Sequence, residues 1–154
     1  MITYSELTEV SVAALTSINK LLPQLSAKAS KLTLNDLQDL ADSESTRIFL
    51  ASDDSSQIIG MLSLIVIRIP TGKKAWIEDV VVDEGARGMG VGKSLMNYAK
   101  ENAKNMGVKS VDLTSRPSRV DANRLYKSLG YQIRETNVYR LSLIHISEPT
   151  RLHG

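Results

Sequence analysis

The residues Val80-Val81-Val82-Asp83-Glu84-Gly85-Ala86-Arg87-Gly88-Met89-Gly90-Val91-Gly92-Lys93-Ser94 carry an apolar strand into a glycine-rich turn that opens a helix. Glycine admits backbone conformations closed to other residues and lets a ligand approach the main chain. The start of a helix adds N–H groups with no intrahelical acceptor and a partial positive charge. Together these form an anion cradle suited to phosphate or pyrophosphate. Arg87 brings a fixed cationic donor beside it.

Three kinds of loop share this outline. A Walker A loop, Gly-x-x-x-x-Gly-Lys-Ser, would put its first glycine at position 87, where arginine stands. A dinucleotide fingerprint would need a further glycine at position 93 or 95, and these are Lys93 and Leu95. The pattern Arg-x-x-Gly-x-Gly is met by Arg87, Gly90 and Gly92. That pattern resembles the acetyl-CoA loop of the GNAT superfamily of N-acetyltransferases. Ile77-Glu78-Asp79-Val80-Val81-Val82 is similar to that family's fourth strand. Ala122-Asn123-Arg124-Leu125-Tyr126-Lys127-Ser128-Leu129-Gly130-Tyr131 is similar to its fourth helix and following turn. The resemblance covers about residues 2–140, its first third by element order alone.

The resemblance implies acetyl-CoA as acyl-donor substrate, a primary amine of a small molecule or protein as acceptor, direct attack in a ternary complex, and no metal. It implies that the main chain of Val80, Val81 and Val82 binds the pantetheine arm as an added strand would. The N–H groups of Arg87, Gly88, Met89, Gly90, Val91, Gly92, Lys93 and Ser94 would take the pyrophosphate, and Asn123 would hydrogen-bond the cofactor. Acyl transfer to an amine needs removal of the amine's proton, donors for the developing oxyanion and a proton for the departing thiolate. A tyrosine phenol ionises at about pH 10 and so holds its proton at neutrality. The resemblance places Tyr126 where the family's acid tyrosine stands, with packing beside Leu125 and Leu129 as the structural alternative. For the base the resemblance favours Glu78. Neighbouring strand residues point to opposite faces, so Glu78 and Asp79 cannot both serve one side. A structural carboxylate, with water as base, is the alternative. A non-catalytic acyl-CoA-binding regulatory module is the rival to the enzyme as a whole.

The elements that must position these groups follow from periodicity. Met1 to Leu7 reads as a strand. Val12, Leu15, Ile18, Leu22 and Leu25 recur at helical spacing, with Pro23 marking a break or kink. Thr33-Leu34-Asn35-Asp36 reads as a second helix start. Strands follow over Arg47 to Ser52, Gln57 to Ile69 and Ala75 to Val82, joined by turns at Asp53-Asp54-Ser55-Ser56 and Pro70-Thr71-Gly72-Lys73. A helix with Val91, Leu95, Ala99, Ala103 and Met106 on one face closes at Gly107. A strand over Val108 to Thr114, a helix over Val120 to Leu129 and a final hairpin over Tyr131 to Glu135 and from Val138 complete the order. The expectation is one α/β domain on a mixed sheet over residues 1–140. Ser115-Arg116-Pro117-Ser118-Arg119 reads as a solvated basic loop, with the substrate mouth or the 3′-phosphate as alternatives. Trp76 and Tyr139 line an acceptor pocket or simply pack.

Composition narrows the classes. A chain of 154 residues can bury one core, and a net charge of +2 spread along it gives no footprint for nucleic acid or membrane. With no cysteine, disulfides, thiolate nucleophiles and cysteine–zinc sites are excluded. The start Met1-Ile2-Thr3-Tyr4-Ser5-Glu6 lacks the basic flank and apolar run of a signal peptide, so a cytoplasmic protein is the expectation; a homodimer stays open. Leu141 to Arg151 resembles the translation of a transposon-end adapter used in sequencing libraries. Residues 141–154, with His145 and His153, are therefore set apart as a non-native tail, in which Leu141, Leu143 and Ile146 could imitate strand alternation. Without those histidines, His-based triads and His-ligated metals drop out.

Overall fold

The protein is described from a computed structural model over residues 1–144. The chain forms two compact units, Met1–Ser115 and Arg116–Gly154. The first holds strands β1 (Thr3–Glu6), β2 (Thr46–Ser52), β3 (Ile58–Ile69), β4 (Gly72–Val82) and β5 (Val111–Asp112), with helices α1 (Val12–Leu25), α2 (Leu34–Asp42) and α3 (Val91–Asn105). The second holds α4 (Val120–Ser128). The five strands lie in numerical order, antiparallel except for the parallel pair β4–β5. The expected mixed α/β architecture is present.

Strand alternation gives the sheet two apolar faces. On one, Ile18 and Leu21 of α1 and Leu37 of α2 pack with Ile48, Leu50, Met61 and Val81. On the other lies α3. A Cβ on Gly60 would come within 3.1 Å of Val91 Cγ1 and 3.2 Å of Leu95 Cδ1, so only a residue without a side chain lets the first turn of α3 approach β3 this closely. Phe49, fully buried on that face, meets the Tyr98 ring edge-on at 5.1 Å. Burying each such side chain contributes roughly 1.5–3 kcal/mol.

Helix α1 runs through Pro23 to Leu25 without ending there. Proline lacks one donor, and in the last turn of a helix that loss removes one bond only. Asn19 fastens the chain beyond it, donating to the Leu32 carbonyl at 3.0 Å and accepting from Leu32 N–H at 2.8 Å.

Three expectations need correction. Strand β5 is two residues long, paired with β4 only at Ala75–Val111 and Trp76–Asp112, where seven residues were expected. Among the described residues the final hairpin is absent: residues 131–144 contain no strand, and Ile133, Val138 and Tyr139 are exposed. A two-stranded ribbon with no buried face is marginal in water, so alternation alone does not make one. Leu141 and Leu143 do not extend it. Ile146, both histidines and the remainder of the tail lie outside the described residues.

Candidate functional site

Past Trp76, β5 no longer accompanies β4. Among the described residues no strand pairs with the outer edge of β4 from Ile77 to Val82, the stretch holding Val80, Val81 and Val82. Its inner edge is paired with β3, and Val81 is buried in the core between sheet and α1.

The pairing of β4 carries an irregularity. Met61 lies opposite Val81 and Ser63 opposite Glu78, a step of two residues on β3 against three on β4. The extra residue is a bulge, and Asp79 within it has φ of +51°. The simple alternation assumed for Glu78 and Asp79 therefore does not hold. The bulge keeps Glu78 on the face of Val81, the face covered by α1 and α2. Both carboxylates are exposed. Across from Glu78, Ser63 is the one buried polar residue among those described, and its hydroxyl has no partner among them. Trp76, two residues before Glu78, shares that face and is half-buried.

The chain then enters the glycine loop. Asp83 N–H donates to Ile59 O at 2.7 Å, and the Asp83 carboxylate accepts from Gly85 N–H at 3.1 Å and Gln24 Nε2 at 2.8 Å. The Gln24 bond, with help from Gly85, Lys20 and Arg87, holds this carboxyl below its ordinary value against the opposing effect of burial. A 3-10 turn over Glu84–Ala86 follows, with Ala86 buried. Gly88 and Gly90 have φ of +82° and +76°, left-handed conformations that favour glycine. A Cβ at either would meet nothing within 4 Å, so backbone conformation and not crowding demands glycine, and the space above the loop is open.

Helix α3 starts at Gly90 with no side-chain cap and no acidic residue in its first turn. Ser94 N–H donates to Gly90 O at 3.0 Å, and Arg87 N–H makes a long bond of 3.5 Å to Glu84 O. Between them, the N–H groups of Gly88, Met89, Gly90, Val91, Gly92 and Lys93 find no acceptor among the described residues. Gly88, Met89, Gly90, Arg87 and Lys93 are exposed, and Arg87 forms no ion pair with the described residues. Six such donors at the positive end of a helix, flanked by two cations, have the chemistry to receive an anion.

In the second unit, Tyr126 is buried and its ring meets that of Tyr131 edge-on at 6.2 Å. Its hydroxyl has no hydrogen-bond partner among the described residues. Tyr131 is the phenol pushed up, by burial first and by Tyr126 second. The Asn123 amide donates to the carbonyls of Arg116 and Arg119, each at 2.8 Å, which leaves its Oδ1 for any ligand. Tyr139 is exposed and donates no packing.

Sequence reasoning missed Gly60, Ser63, Gln24 and the bulge. An isolated glycine inside an apolar strand is a signal for close approach and would have found Gly60. Gln24 gives no local signal.

Among the described residues no helix is long and apolar enough to cross a membrane, and no group of three or more His, Cys, Asp or Glu could hold a metal. Comparison with known proteins gives the family. The model of the Acetyltransferase (GNAT) family matches residues 15–131, and the chain belongs to that family. Over 75 residues it is 36% identical to the uncharacterized N-acetyltransferase YhdJ of Bacillus subtilis (strain 168), a match covering 48% of this chain and 52% of that protein. The chain thus spans about half the length of that curated relative. A Trypanosoma brucei acetyltransferase structure superposes with a TM-score of 0.76 and 27% identity, over 93% of this chain and 100% of that one. An aminoglycoside acetyltransferase from an uncultured soil metagenomic sample shares the fold, with a TM-score of 0.80 and 19% identity over 92% and 95% of the two chains.

Proposed function

We propose that the protein is an acetyl-CoA-dependent N-acetyltransferase acting on a primary amine. The observation that carries this is the set of unpaired amides from Gly88 to Lys93. They suit the diphosphate of coenzyme A, with Arg87 and Lys93 adding charge. The unpaired outer edge of β4 at Val80, Val81 and Val82 suits the amide-bearing pantetheine arm, which can pair with main chain as a strand does. Asn123 offers its Oδ1 to the same molecule.

The acceptor amine enters over the face that carries Glu78. This carboxylate attracts the ammonium and takes up its proton, directly or through water, since an ammonium has no lone pair for attack. The free Ser63 hydroxyl opposite and the Trp76 ring beside it fit a cationic amine on an apolar body. The amine nitrogen then attacks the thioester carbonyl carbon, the carbon–sulfur bond breaks, and Tyr126 gives its phenolic proton to the departing thiolate; the second proton shed by the nitrogen as the amide forms passes through water to the Tyr126 phenolate and restores it. The aminoglycoside acetyltransferase of like fold supports amines as a class of acceptor; the particular acceptor is left to experiment.

The test is release of free thiol from acetyl-CoA in the presence of a panel of primary amines. Turnover with at least one amine is the expected result. Tight binding of CoA with no turnover on any amine favours an acyl-CoA-binding regulatory module, and absence of CoA binding overturns the assignment.

A further inference from the structure

The glycine loop is held to the rest of the protein at one end by a side chain that no motif announces. From Glu84 to Gly90 every residue except Ala86 is exposed. Among the described residues the only side chain outside this segment and its flanking Asp83 that hydrogen-bonds to it is Gln24, from the last turn of α1. Gln24 binds in two directions. Its Nε2 donates to Asp83 Oδ1 at 2.8 Å, and its Oε1 accepts from Glu84 N–H at 3.0 Å. The partners are 59 and 60 residues away in sequence. The second Asp83 oxygen accepts from Gly85 N–H at 3.1 Å, so the same carboxylate shapes the turn and receives the tie. Lys20, one helical turn before Gln24, and Arg87 supply the charges that face this carboxylate.

We infer that Gln24 is a positioning residue for acyl-CoA binding, fixing the height and tilt of the Asp83–Gly85 turn from which the Gly88–Lys93 amides are presented. The inference rests on the proposed function. Helix α1 also covers the face on which Glu78 lies, so one side chain joins the acceptor wall to the donor loop. A loop led by two left-handed glycines has little stiffness of its own. Anchoring its first turn lowers the ordering cost that binding would otherwise meet.

The bonding pattern allows a direct test by reversal. Gln24→Glu places a carboxylate oxygen against Asp83 Oδ1 and breaks the tie by repulsion. Asp83→Asn leaves an amide that can satisfy either Gln24 or Gly85, not both. Together, Gln24→Glu with Asp83→Asn restores every bond between α1 and the turn: Asn Nδ2 donates to one Glu oxygen, Asn Oδ1 accepts from Gly85, and the other Glu oxygen accepts from Glu84 N–H; only the long 3.5 Å bond from Gln24 Nε2 to the Lys20 carbonyl, within α1 itself, is lost.

Calorimetric titration of CoA into the full chain, with kinetics at varied acetyl-CoA, reads the outcome. Gln24→Glu should raise the CoA dissociation constant and the KM for acetyl-CoA about tenfold, a factor equal to about 1.4 kcal/mol, with kcat within about twofold. The double variant should return both constants to within about twofold of the starting protein. A merely structural role would lower thermal stability without this split between KM and kcat. If the parent protein binds CoA and Gln24→Glu binds it equally well, or if the double variant is as weak as the single one, the positioning role is wrong. Failure of the parent protein to bind CoA strikes the proposed function instead.

Discussion

Helices α2 and α3 begin in opposite ways. At α2, Thr33 Oγ1 accepts from Asp36 N–H at 3.1 Å while the Asp36 carboxylate accepts from Thr33 N–H at 2.9 Å, so the chain closes two of its own orphan donors and sets a negative charge on the positive end. Helix α1 does half as much, with Ser11 accepting from Ala14 N–H. At α3 the cap is glycine, the first turn has no acid, and Lys93 adds a positive charge where a negative one would be favourable. Both termini face the same requirement, four donors with no internal acceptor. One meets half of it from within, at Thr33 N–H and Asp36 N–H. The other leaves it unmet among the described residues, and a Cβ at Gly88 or Gly90 would meet nothing within 4 Å; the proposed function assigns those donors to coenzyme A.

The comparison can be broken first at Gly90. Gly90→Val forces a β-branched residue into a left-handed conformation at a cost of about 1–2 kcal/mol and puts a side chain over the amides. CoA affinity should fall by about a hundredfold or more, in calorimetry, with the far-ultraviolet spectrum of the folded protein kept. Undiminished affinity would mean the loop is not the anion seat. Next in size, Tyr126→Phe should lower kcat by about a hundredfold, within the range for loss of a general acid, and leave CoA affinity within about twofold. Single-turnover kinetics checks that chemistry limits the rate; unchanged turnover would remove Tyr126 from the mechanism.

Glu78→Gln should reduce kcat/KM for the amine by about tenfold without touching CoA binding, which steady-state kinetics at varied amine measures. On the other side of the comparison, Thr33→Ala removes a cap and should cost about 1 kcal/mol of stability in urea unfolding, with CoA affinity unmoved. The smallest effect concerns acid. Because the Asp83 carboxyl is held down in the folded protein, its contribution to stability is fully present above the ordinary carboxyl range. It is lost as pH falls through the lower folded value. The stability gap between the parent protein and Asp83→Asn should therefore close below about pH 4, and a gap that widens there would reverse the sign of the argument.

Much of the fold was legible because it rests on local rules. The periodicity of Val91, Leu95, Ala99 and Ala103 is that of a face against a sheet, and all four are buried. The glycine loop announced itself because its chemistry is carried by consecutive residues. What escaped reading depends on distance or on context. The tie from Gln24 to Asp83 joins residues far apart in the chain, and the bulge at Asp79 is a property of how β4 registers on β3, not of its own letters. The expected final hairpin fails for the converse reason: Ile133, Val138 and Tyr139 are residue types that favour strands, yet none of them is buried. Propensity without a surface to cover did not make a strand.

The central claim concerns six amide hydrogens, and it is tested most directly by following the backbone N–H resonances of the protein as CoA is added. The account predicts that Gly88, Met89, Gly90, Val91, Gly92 and Lys93 shift most and gain protection from hydrogen exchange, while the amides of the α2 terminus around Thr33 and Asp36 stay where they were. CoA binding that leaves the loop resonances unmoved, with the largest shifts elsewhere, would contradict it.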